Sequence, residues 1–187
     1  MIYTFMNLKM AGFLVGIALI LSHVVALVRS QSIRKWLLAF PRSRFMGVSL
    51  LSGAAIWSFL LVLEMDLGEF TSYRNLFLII IPVAAFLTIR YVEEFLAVRA
   101  TGMLLLLAAE PVLESAFLRQ EKSRLLLVVL AYAWTIFGMF WVGMPYLMRD
   151  QIRWLVDSDL RWKAAIYLGL AYGAAILVCS FAFYATA

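Results

Sequence analysis

One histidine, one cysteine and four prolines are all that this 187-residue chain has of residues that build metal sites, disulfides or helix breaks. With His23 as the lone imidazole, a histidine-rich metal site is excluded and bis-histidine haem ligation within the chain is impossible. Cys179 alone excludes a disulfide framework, and its place inside an apolar run makes it a small packing residue. Phosphate-binding and dinucleotide-binding glycine loops, zinc-protease helices and a Ser/His/Asp set are also missing. No catalytic activity, cofactor or metal is therefore expected.

Charge is the next scarcity. Charged residues make up 14% of the chain, against about 25% in soluble domains. The balance is basic, at +5, but the cations fall between apolar segments and not on one soluble face. They read as topology signals and contacts to anionic lipid. The aromatic residues are spread through the apolar segments and form no base-stacking platform, so nucleic acid is not an expected partner.

What the chain does hold is hydrophobic length. Apolar residues make up 65% of it, and mean hydropathy is +0.95. Six apolar segments stand out, near 10–28, 45–63, 76–91, 101–118, 125–148 and 164–185. Each approaches the roughly 20 residues that a helix needs to cross a bilayer. Alternation of the barrel kind is absent, so helices are the expected state. The first run is too long for a signal-peptide core and its cations follow it, so it reads as an uncleaved helix. These features predict an all-α integral membrane protein, residues 1–187 forming one bundle.

The first connection carries Arg29, Arg34, Lys35, Arg42 and Arg44 and no acid. The positive-inside rule makes it cytoplasmic and puts the N-terminus outside. Minimal loops on a short chain suit a bacterial inner membrane. The number of crossings turns on segment 101–118. Six crossings place eleven Lys and Arg inside and five outside; if that segment is re-entrant or interfacial, five crossings remain and the counts are ten and six. Hydropathy favours six, whereas Pro111 between two glutamates argues for five.

Those glutamates are the main candidate site. Glu110 and Glu114, four apart, share a helical face near mid-depth, where a carboxylate is costly. Pro111 tends to kink the helix and frees the carbonyl of Leu107. Together they could form a cation or proton site completed by Arg90 or His23. The alternative is a helix end near the headgroups, with both acids solvated or paired to Arg119 or Arg124. Arg90 with Glu93 and Glu94 is expected to form helical salt bridges at an interface.

Ile33, Trp36, Leu37 and Phe40 fall on one face of a short helix near 32–40, with Arg34 and Lys35 off that face and Pro41 ending it. This predicts an interfacial helix on the cytoplasmic leaflet. Arg29, Arg34, Lys35, Arg42, Arg44 and Trp36 are its expected headgroup contacts, and Trp154 and Trp162 further interface anchors. Gly12 with Gly16, and Gly169 with Gly173, form GxxxG motifs for close helix packing, within the bundle or against another subunit.

Few catalytic side chains and short connections lead to an expectation of a non-catalytic structural or accessory subunit. Its partners would be membrane lipids, anionic ones included, and either other membrane proteins or further copies of itself. The competing expectation is a small proton- or cation-coupled transporter or channel built on Glu110 and Glu114.

Overall fold

The computed structural model describes residues 7–92, 94–119 and 121–182, and every regular element among them is helical. In chain order the helices are α1 (Leu8–Val28), α2 (Ser30–Ala39), α3 (Arg44–Glu64), α4 (Arg74–Tyr91), α5 (Leu96–Ala116), α6 (Leu125–Gly143), α7 (Tyr146–Val156) and α8 (Asp159–Ala182). Six of them, all but α2 and α7, are long and apolar enough to cross a membrane. That composition points to a membrane location.

Local chemistry sets the helix ends. The side-chain oxygens of Asn7 and Ser43 accept from Met10 N–H at 2.8 Å and Met46 N–H at 3.3 Å, capping α1 and α3. The residue before a proline is pushed out of the helical region, and Met144, before Pro145, has φ −128° and ψ 72°. For that reason α6 stops at Gly143 and the expected run to Met148 breaks into α6 and α7. Phe95 and Leu118 adopt left-handed φ of 56° and 55°, bracketing α5 without a glycine at either bend.

At the centre lies α5. It holds ten buried residues, whereas no other helix has more than five. Its closest neighbours are α6 and α3, while α1 pairs with α8 and touches α5, and α4 packs on α3. The main core cluster joins Leu8, Ala11 and Val15 of α1 to Val112 and Ala116 of α5, Leu127 of α6 and Ile176 of α8. A second cluster, at the opposite end, joins Phe40 to Ala97, Val98, Met148 and Ile152. The bundle thus has a Lys9 end and an Arg34 end.

The fourth apolar segment is therefore a continuous helix of spanning length that does not turn back on itself. Its interior Pro111 is buried, as is Val112 beside it, in the core shared with α1. Tertiary packing offsets the backbone hydrogen bond that proline removes.

Candidate functional site

Glu110 and Glu114 lie nearer the Lys9 end than expected. Because α5 begins at Leu96 and not at Thr101, Glu110 sits roughly 9 Å from the C-terminal end of the helix at 1.5 Å per residue. Glu110 is exposed and Glu114 half-buried, on the face turned away from Pro111 and Val112. Both line a cavity of about 620 Å³ with Met65, Asp66, Phe117 and Thr135. Three carboxylates thus share one groove between α3, α5 and α6. Among the described residues they form no cluster able to cage a metal ion.

The proposed partners of these acids are elsewhere. His23 lies about 8 Å from the far end of α1, at the Arg34 end. A carbonyl oxygen can only accept, so His23 Nδ1–H donates to Leu19 O at 2.7 Å. Its ring packs on the bare backbone of Gly169, where any Cβ would collide with Nε2. Arg90 is exposed at the end of α4, its guanidinium 5.9 Å from the Tyr91 ring. The helix stops at Tyr91, so the expected helical pairing of Arg90 with Glu94 has no register to form in; Glu93 lies outside the described residues. Glu110, Glu114, His23 and Arg90 do not assemble into one intramembrane site.

Arginines do something that their sequence positions gave no hint of. Arg74 Nη2 donates to the carbonyl of Met65 at 2.8 Å, Arg99 Nη1 to Val142 at 2.7 Å, and Arg124 Nη1 to Ala116 at 2.7 Å. Each acceptor lies at the C-terminal end of α3, α6 or α5, where backbone carbonyls have no helical donor and the helix dipole is negative. Arg124 thereby caps the end of α5. Tyr172 O–H to Leu126 O and Ser180 O–H to Lys9 O, both 2.7 Å, tie α8 to α6 and α1.

Comparison with family models, curated proteins and solved structures finds no match for this chain. Its chemistry must be read from its own geometry.

The other notable region is the Arg34 end, where α2 and α7 pack together. Ile33, Trp36 and Leu37 of α2 face a cavity of about 570 Å³ shared with Leu21, His23 and Val25 of α1, Leu155 of α7, and Trp162 and Ile166 of α8. Ile33 and Leu37 are half-buried on this face and Trp36 is exposed, while Phe40, just past α2, is buried against α5 and α7. Arg34 pairs with Asp159 at 2.6 Å and stacks 5.0 Å from the Trp162 ring. Trp162, expected as an interface anchor, is 4% exposed; helix packing has taken it inside. Trp36 and Trp154 stay exposed, as do Arg29, Lys35, Arg42 and Arg44. Beside this corner, the Arg149 hydrogen bond at 2.8 Å holds the Asp150 carboxyl below its ordinary range.

The glycine motifs lie at helix contacts. A Cβ on Gly16 or on Gly173 would stand 3.3 Å from the other residue's carbonyl oxygen, and Gly12 is buried in α1. A tighter crossing lies outside any GxxxG pattern. A Cβ on Gly102 or Gly138 would come within 2.8 Å of the other's carbonyl, so α5 and α6 touch backbone to backbone.

Proposed function

We propose that this chain is an integral membrane protein of six crossings that works without catalysis, as a structural or accessory subunit packed against partner membrane proteins. One observation carries the reading. Polar side chains that reach between the long helices, Arg99, Tyr172 and Ser180, end on backbone carbonyls, and the side-chain pairs Arg34–Asp159 and Trp141–Gln151 tie the two short helices to the bundle. They staple the bundle and do not converge on a substrate. Glu110 and Glu114 lie in the half of the bundle toward Lys9 and His23 in the half toward Arg34.

The charges favour a cytoplasmic Arg34 end and an outer N-terminus, since the first connection is wholly basic. Arg74 and Arg124, two of the five cations at the outer end, have a structural reason to be there as helix caps. A bacterial inner membrane suits the short connections. Native mass determination after extraction in a mild detergent tests the proposal. A defined assembly with other membrane proteins is expected; a clean monomer sinks it.

The groove holding Asp66, Glu110 and Glu114 supports a second reading, proton- or cation-coupled transport. It requires that Glu110→Gln abolish cation- or proton-driven flux into liposomes. Absent flux, or flux untouched by the substitution, removes this reading.

A further inference from the structure

The two short helices lie where long helices turn back. Between the end of α1 at Val28 and the start of α3 at Arg44 runs α2; between the end of α6 at Gly143 and the start of α8 at Asp159 runs α7. In a membrane both helices must therefore run along its surface at the Arg34 end. Although they are far apart in the chain, α2 packs on α7, and α7 packs on α8.

The charge of this joint surface depends on how its acids are used. Arg149 takes Asp150 at 2.8 Å, and Arg34 takes Asp159 at 2.6 Å. Arg34, expected from the sequence to meet headgroups, is instead half-buried against the Trp162 ring. Lys35, Arg42, Arg153 and Lys163 are exposed, and among the described residues their side chains make no hydrogen bond or ion pair. Over residues 30–44 and 146–163, Asp157 is the exposed acid left without a partner. The excess is positive. Apolar groups stand among these cations: Trp36, Leu38, Trp154 and Leu160 are exposed, Leu160 by 79%, and the Arg161 guanidinium lies 4.6 Å from the Trp154 ring. A soluble acidic ligand would meet the cations and leave the apolar groups in water. A headgroup layer meets both, with phosphate for Lys and Arg and the acyl boundary for Trp and Leu.

We propose that α2, α7 and the start of α8 form one surface that seats in an anionic headgroup layer, with Lys35, Arg42, Arg153 and Lys163 as its lipid contacts. It rests on the membrane reading of the chain. What tertiary packing adds to the expectation for α2 is a second half, from α7 and α8, and the withdrawal of Arg34.

Electron spin resonance tests this, with trace spin-labelled phosphatidylglycerol or phosphatidylcholine in phosphatidylcholine vesicles that hold the whole protein. Phosphatidylglycerol is held at the protein surface about fivefold over phosphatidylcholine, the factor that one cation supplies near anionic lipid. The preference falls by comparable parts in Lys35→Gln/Arg42→Gln and in Arg153→Gln/Lys163→Gln, and disappears when all four are replaced. Lys122→Gln, at the opposite end, leaves it unchanged. No preference in the unaltered protein overturns the surface, as does a preference that survives the fourfold replacement. Loss confined to the Lys35 and Arg42 pair overturns the part given to α7 and α8. Polyglutamate bound by the protein in phosphatidylcholine vesicles, with no preference between the lipids, would make the surface a dock for acidic protein and overturn the lipid assignment. Release of the protein from membranes by alkaline carbonate would instead overturn the membrane reading itself.

Discussion

A guanidinium beside a helix C-terminus meets several carbonyls that have no helical donor, and a single charge-assisted bond there contributes about 1.5–3 kcal/mol. Arg124 is such a case: it reaches back from the turn before α6 to cap α5 at Ala116. Arg124→Gln is expected to lower stability by about 1–2 kcal/mol, read as a drop in the thermal midpoint in detergent. Lys122→Gln removes the same charge from an exposed site two residues away and should leave the midpoint within error. Equal shifts for both would show that net charge matters and the cap does not. None of these caps could be read from the sequence, because an arginine in a loop gives no sign of which helix end will fold beside it.

Among the elements, α5 differs most from its sequence profile. Acids and a proline in its second half make it look like the weakest of the six long segments, yet it is the helix that the others pack around. The reason is facial: Ala109, Pro111, Val112, Ser115 and Ala116 are buried, whereas Glu110 points outward. A linear hydropathy average mixes these faces and misses the division. The α5–α6 crossing depends on Gly102 and Gly138, where each Cβ would meet backbone that cannot swing aside. Gly138→Leu should force the two helices apart at a cost of about 1–3 kcal/mol, seen as a lower midpoint and faster proteolysis of the Lys122–Arg124 turn. By contrast, Gly143→Ala, whose Cβ would meet nothing within 4 Å, should be silent. A silent Gly138→Leu would remove the close crossing.

For the whole molecule, six crossings place Lys35 and Lys122 on opposite sides of the membrane. Single cysteines at these positions, in a Cys179→Ser background, should react with a membrane-impermeant maleimide from opposite faces of sealed vesicles. Labelling of both from the same face would mean that α5 does not cross and that the count is five. The same experiment fixes orientation, since Lys35 is expected on the cytoplasmic side.

The sequence by itself determined helical class, the number and rough extent of the long apolar segments, and the short amphipathic helix after the first of them. Those features depend on composition and periodicity, which are local. Tertiary structure alone decided which helix lies at the centre, that Gly102 meets Gly138, and that Glu110 and Glu114 share a groove with Asp66 and not with His23 or Arg90. It also decided that Trp162 turns inward. Each of these depends on which faces meet across helices far apart in the chain, and no local pattern encodes that choice.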